Sequence, residues 1–249
     1  MSPVPAPDRR PNPRLLALDT ATERMFVAVV AGERQWLADE AGGAHASQRL
    51  LPLAFDLLAR AGLKLGELDA VAFGRGPGAF TGLRTACSVA QGLAFGAGLP
   101  VLALDSLALV AEDVFAQHGA AALRLWVAMD ARMDEAYAAA YRRAAGGWLV
   151  ERAPALWPVA ALSEVWRLEP PACVAGSALE AFGARLPSGS ALRIGAPHDR
   201  AAALARLACA AWQRGEAVDA ALALPLYLRD KVALTTAERQ AAAALKLSA

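Results

Sequence analysis

The sequence predicts an α/β protein built from two duplicated subdomains, each a mixed sheet with helices. Three observations carry this. Short apolar runs alternate with helical periods through the first half of the chain. A strand, Asp, tight turn, strand pattern recurs at a constant spacing of 111 residues. The 249 residues, 56% hydrophobic and 20% charged, hold enough core for two ordinary subdomains.

The elements follow in order. Leu15–Leu18 reads as a buried strand ending at Asp19, Met25–Val30 as a second strand and Gln35–Ala38 as a third that pairs with it. A helix follows over Ser47–Ala61, then a strand over Val71–Phe73 entering a glycine-rich loop. Another helix starts near Thr81 and stops near Gly98, with a buried strand over Val101–Leu104 and a helix over Ser106–Gln117. The pattern then restarts. Asp19 falls on Asp130, Glu23 on Asp134, Phe26 on Tyr137, Ala17 on Ala128 and Ala28 on Ala139. The later half predicts a strand at Trp148–Arg152, a helix at Pro158–Arg167, a strand at Cys173–Ala175 ending at Gly176, and an amphipathic helix at Asp199–Arg214. Pro225–Arg229 reads as extended and Thr235–Leu247 as helical. The division is a disordered tail at 1–13, subdomains at 14–119 and 120–222, and a C-terminal segment at 223–249 returning to the first subdomain.

A net charge of +1 shows no basic stripe, so nucleic acid contact is expected to come mostly through another chain. Cys87, Cys173 and Cys209 are far apart and odd in number, which suggests buried free thiols in a reducing cytoplasm rather than zinc or disulfides. His45, His118 and His198 have no metal-ligand spacing. The most apolar stretch, Ala86–Leu104, is broken by Gly98 and Pro100 and reads as helix then strand, not a membrane span.

The segment Gly74-Arg75-Gly76-Pro77-Gly78-Ala79-Phe80-Thr81-Gly82-Leu83-Arg84 stands between a strand and a helix, with Thr81 placed to cap it. Two readings stay open: an anion cradle at the helix N-terminus, or a rigid turn with an ordinary cap. If Asp19 and Asp130 face each other across a cleft, they could hold a magnesium nucleotide together with Gly76, Gly78 and Gly176. Against this, the Asp19-Thr20-Ala21-Thr22 turn has no glycine and Gly176 stands alone.

Two helices carry a different signal. Along Ser47–Ala61 the apolar residues, Leu50, Leu51, Phe55 and Leu58 among them, cover an arc about twice the width one core face needs. In the next helix Gly92 and Gly96 lie four apart with Ser88 a turn earlier. Each mid-helix glycine costs about 1 kcal/mol against alanine, so a smooth strip admitting another helix is the expected gain. Leu51, Phe55, Leu58, Thr85, Ser88, Gly92 and Gly96 form the expected partner face.

Two subdomains that each open with strand, Asp turn and strand match the plan of the actin-like (ribonuclease H-like) ATPase superfamily, where ligands bind between the halves. More specifically, Leu16 to Thr22, His45 to Pro52, Gly74 to Arg84 and Ala90 to Ala94 resemble the TsaB family in order and spacing, as do Asp130 to Glu135 and Pro225 to Arg229. The resemblance covers nearly everything after Pro13. It implies a non-catalytic subunit in formation of N6-threonylcarbamoyladenosine next to the tRNA anticodon. The implied partners are the transferase TsaD, as a heterodimer through the two helices, and the ATPase TsaE, with tRNA reached only through the complex. A homodimer would compete for the same face. TsaD carries metal-binding histidines after the strand corresponding to Val101–Leu104, where this chain reads Asp105-Ser106-Leu107-Ala108-Leu109-Val110. So no catalytic residue, metal or cofactor is expected. The rivals are an actin-like small-molecule kinase, a freestanding homodimeric binding module, and a glycoprotease-like metallopeptidase, for which no HExxH is present.

Overall fold

The computed structural model describes residues 10–195 and 199–229. The expected helix at 235–247, His198 and most of the N-terminal tail lie outside the described residues.

The first sheet contains β1 (Arg14–Asp19), β2 (Arg24–Ala31), β3 (Arg34–Ala41), β4 (Ala70–Gly76) and β5 (Val101–Asp105), in the order β3-β2-β1-β4-β5. Helices α1 (Ala46–Ala61) and α2 (Phe80–Ala97) cover its outer face, and α3 (Ser106–His118) follows β5. The second sheet contains β6 (Arg124–Asp130), β7 (Glu135–Ala144), β8 (Gly147–Pro158), β9 (Cys173–Ala175) and β10 (Leu192–Ile194). Its order, β8-β7-β6-β9-β10, repeats the first. In both, the opening hairpin is antiparallel and the later strands join in parallel. Helices α4 (Val159–Leu168) and the short α5 (Ala178–Phe182) pack on the outer face of the second sheet, and α6 (Arg200–Arg214) follows β10.

Sequence chemistry places these boundaries. β1 is a central strand covered on both faces, hence its unbroken Leu15-Leu16-Ala17-Leu18 run. α1, α2 and α6 each end on a left-handed glycine, Gly62, Gly98 and Gly215, and the next residue's N–H returns to a carbonyl five back. Among the described residues, no helix is long and apolar enough to cross a membrane. Cys87 and Cys173 are buried free thiols, and Cys209 is half-buried.

The duplication is real, but the constant spacing is not. Phe26, Ala28 and Val30 face the shared central core, as do Tyr137, Ala139 and Tyr141, so β2 and β7 correspond at 111 residues. Leu15 and Ala17 face that core, as do Leu125 and Val127, so β1 and β6 correspond at 110. The parallel registers agree: Ala17 pairs with Ala72, and Val127 with Ala175. The difference is one residue in the hairpin: six residues lie between the paired Asp19 and Phe26, and seven between the equivalent pair Met129 and Tyr137. A one-residue slip sends every side chain to the opposite face. Met129, not Asp130, therefore occupies the place of Asp19.

The two halves exchange helices. α6 packs on the first sheet and α3 mainly on the second, side by side. One core results, containing residues of both sheets and both helices. Glu112 of α3 is buried within it and accepts from Arg143 of β7, from Trp148 Nε1 at 2.9 Å and from Arg206 Nε of α6 at 2.8 Å. Asp105 caps α3 by accepting from Leu107 and Ala108, and takes the Tyr141 hydroxyl of β7 at 2.6 Å. The segment after α6 returns to the first subdomain. Val218 bridges to Val101, and Ala220 and Ala223 join the first sheet's outer core.

Replacing Glu112 by Ala leaves two guanidinium groups and an indole without their common acceptor. Both arginines are partly exposed, so solvent recovers part of the loss, and about 2–3 kcal/mol of stability should disappear in urea unfolding.

Candidate functional site: the cleft and an exposed helical face

The glycine-rich segment docks onto the β1–β2 turn. Ala79 N donates to the Ala21 carbonyl at 2.8 Å, and Thr20 Oγ1 to the Gly82 carbonyl at 2.6 Å. A Cβ on Gly78 would stand 2.4 Å from the Ala21 oxygen, and one on Gly82 1.8 Å from the Thr20 oxygen. One on Gly74 would stand 1.7 Å from Asp19 Oδ2, and one on Gly176 2.2 Å from the Ala128 oxygen. Gly76, at φ +107°, lies against Leu83 and the Leu226 carbonyl. These glycines let the chain approach itself, and the turn needs none because the opposing segment supplies them. Thr81 does not cap α2. The helix starts at Phe80 with Ala79 at the cap position and no side-chain cap bond, and the Thr81 carbonyl accepts from Thr85 Oγ1.

Between the subdomains lies a cavity of about 720 Å³, lined by Thr22, Glu23, Pro77, Gly78, Asp130, Arg132, Arg200, Tyr227 and Arg229 among others. Gly78 and Asp130 line it; Asp19, Gly76 and Gly176 do not. The expectation that Asp19 and Asp130 face each other across the cleft is corrected by this placement. Asp19 is 1% exposed, with Oδ2 accepting from Ser106 Oγ at 2.7 Å and Oδ1 from Ala21 N at 3.0 Å. Burial raises its pKa; the Ala21 and Ser106 hydrogen bonds and the nearby Arg200 pull the other way. Asp130 accepts from Arg132 N at 2.8 Å and pairs with the Arg132 guanidinium at 3.3 Å.

Sequence reasoning missed three features here. Arg132, Met133 and Asp134 are consecutive left-handed residues at φ +64°, +57° and +58°. Such a conformation costs about 1–2 kcal/mol per non-glycine residue. Arg229 closes over this turn, donating to the Ala131 and Arg132 carbonyls and pairing with Glu135. Arg200, which lines the cavity, is the third. The strap carrying Arg229 is held on the first subdomain. Leu226 N donates to the Arg75 carbonyl at 2.7 Å, and Tyr227 packs on Phe80 with centroids 5.1 Å apart and accepts from Arg84 Nε at 3.0 Å.

The other candidate site is the outer face of α1 and α2, which pack on each other. Leu51 is 39% exposed, Phe55 46% and Phe95 81%. Ser88, Gly92 and Gly96 are exposed too, and a Cβ on either glycine would meet nothing within 4 Å. Close packing inside the subunit therefore does not account for these two glycines. Two of the expected face residues are placed otherwise. Leu58 is 2% exposed and points into the core with Leu50, Ala54 and Leu57, because half of the wide apolar arc is needed there. Thr85 is half-buried and bonded to its own helix. Phe95, missed in the sequence, sits three residues after Gly92, where helical spacing marks the same strip.

The fold and cleft define a duplicated α/β protein of two mixed sheets with the same strand order. Residues 38–165 match the family described as "TsaD: tRNA N6-adenosine threonylcarbamoyltransferase". The chain is 36% identical over 224 residues to the tRNA threonylcarbamoyladenosine biosynthesis protein TsaB of Escherichia coli, covering 88% of this chain and 96% of that one. It is 46% identical over 127 residues to TsaB of Haemophilus influenzae, covering 51% of this chain and 52% of that one. The solved structure "YeaZ from Pseudomonas aeruginosa" is 41% identical, with TM-score 0.76, covering 87% of this chain and all of the other, 100%. The chain belongs to the TsaB family.

Two outcomes test the site geometry. Gly82→Ala should lose about 3 kcal/mol in urea unfolding, whereas Gly92→Ala should gain up to about 1 kcal/mol. For Asp19, the folded pKa lies above the unfolded one, so the native state binds more protons in the window above pH 3.8. Its contribution to stability is greatest at acid pH and is lost as pH rises through the folded pKa. Asp19→Asn should flatten that part of the stability profile, measured by urea unfolding against pH.

Proposed function

We propose that this chain takes part in forming N6-threonylcarbamoyladenosine in tRNA as a non-catalytic subunit, docking on TsaD through the outer face of α1 and α2. The single observation that carries the docking reading is the pair Gly92 and Gly96. Both are exposed and face open space, Gly92 inside α2 and Gly96 in its last turn, and the interior glycine costs about 1 kcal/mol against alanine. Leu51, Phe55 and Phe95 flank them with exposed apolar surface. Nothing inside the subunit is gained by this arrangement; a closely approaching partner helix gains from it.

Family membership supports the pathway. The cleft supports the non-catalytic reading: Gly74, Gly78, Gly82 and Gly176 lie against the chain's own backbone and side chains, where a phosphate cradle would leave them open. In this reading TsaE supplies ATP hydrolysis, and tRNA is met only through the complex, in keeping with a net charge of +1. The site of action is the cytoplasm. A homodimer competes with TsaD for the same face.

Gly92→Glu and, separately, Leu51→Asp place a charge on that face, and each should abolish co-elution with TsaD while leaving the circular dichroism spectrum unchanged. A specific interface buries about 800 Å² on each partner, so loss should be complete at micromolar protein. Both variants should also fail to support threonylcarbamoyladenosine formation in a reconstituted system. Wild-type binding by two folded variants would move the interface elsewhere.

A further inference from the structure

Arg200 is the first residue of α6 and lines the interdomain cavity, yet it is only 8% exposed. Its Nη2 donates to the Met129 thioether at 3.8 Å, and its guanidinium carbon lies 5.5 Å from the Phe26 ring centroid. A thioether is a weak acceptor, and a guanidinium has five N–H donors. Nearby carboxylates are engaged elsewhere. Asp19 accepts from Ser106 and Ala21, Asp39 from Arg24, and Asp113 from Gln117 and the Asp199 N–H. Their charges offset only part of the effect of burial, which lowers the Arg200 pKa. A buried arginine left this way faces a cavity large enough for a small organic molecule.

The rest of the lining restricts what fits. Leu83, Leu107, Val110 and Tyr137 give apolar wall. Arg132 is matched by Asp130 and Glu23, and Arg229 by Glu135. Glu23, Asp130 and Glu180 also line the cavity, so a polyphosphate would meet like charge on several sides. A single negative group with an apolar body meets one open guanidinium fork and an apolar wall.

We propose that the interdomain cavity binds a small monocarboxylate with an apolar body, its carboxylate held by Arg200. This stands independently of the assembly reading above, which concerns the opposite face of the first sheet. The geometry suits a bidentate arginine–carboxylate pair, the strong form of that hydrogen bond.

The test titrates the full chain by calorimetry and by NMR with phenylacetate, its neutral isostere phenylacetamide, and magnesium ATP. Phenylacetate should bind saturably, and the amide about tenfold or more weaker. Arg200→Met should weaken phenylacetate by about tenfold or more, with Arg200→Lys between it and wild type. Ala181→Trp, at an exposed position on the cavity wall, should block binding with every charge in place, and it decides the matter if Arg200→Met fails to fold. Absence of saturable phenylacetate binding overturns the proposal. So does equal binding of acid and amide, or wild-type binding by Ala181→Trp or by a folded Arg200→Met. Tighter binding of magnesium ATP than of phenylacetate, lost in Arg200→Met, overturns the assignment to a monoanion.

Discussion

The structure depends on one exchange: each half of the chain ends in a helix that packs on the other half's sheet. α3 lies mainly on the second sheet and α6 on the first. Neither sheet can bury its inner face without the other half of the chain, so the two repeats share one core. Glu112 sits where this exchange closes, bound at once by β7, β8 and α6. A buried carboxylate is tolerated only when its lone pairs are met. Meeting this one specifies which helix lies against which sheet. Asp105 and Tyr141 repeat the device at the start of α3.

Against this rigid centre, the glycines divide into two kinds. Gly74, Gly78, Gly82 and Gly176 sit where a methyl group would collide with a carbonyl or carboxylate, and folding alone accounts for them. Gly92 and Gly96 meet nothing, and folding alone argues against them. The first kind lets the chain pack against itself. The second leaves a groove on the outside.

The cleft retains features that neither folding nor docking explains. Three left-handed residues in succession, at Arg132 to Asp134, are clamped by an arginine from the C-terminal strap. That strap is anchored on the first subdomain by Leu226 and Tyr227 and reaches the second through Arg229. Strain held by contacts between subdomains ties the local turn to the relative position of the halves. Arg200 lines the same cavity, and among the described residues its hydrogen-bond acceptor is the weak thioether of Met129.

Much was legible in the sequence because it is written in short-range terms. The buried run at Leu15–Leu18, the glycine stop at Gly98, and the double-width apolar arc of α1 are local patterns of period and turn chemistry. They determined the α/β class, the duplication, and the helices that present an outer face. The short elements α5 and β10 escaped because five and three residues are too few to display a period. Which leucine of the arc faces out was decided only by packing: Leu58 went to the core and Leu51 to the surface. The matching of Asp19 with Asp130 failed for a similar reason. One residue more in the second hairpin leaves the letters aligned but turns a strand over, and only hydrogen-bonded register records it. Arg200 was unreadable beforehand, since its partners and the cavity it lines come from Phe26, Met129 and the far ends of both sheets. Periodicity reports what a residue's neighbours in sequence require. Burial against a thioether and a ring is a property of neighbours in space, and the tertiary structure alone decides it.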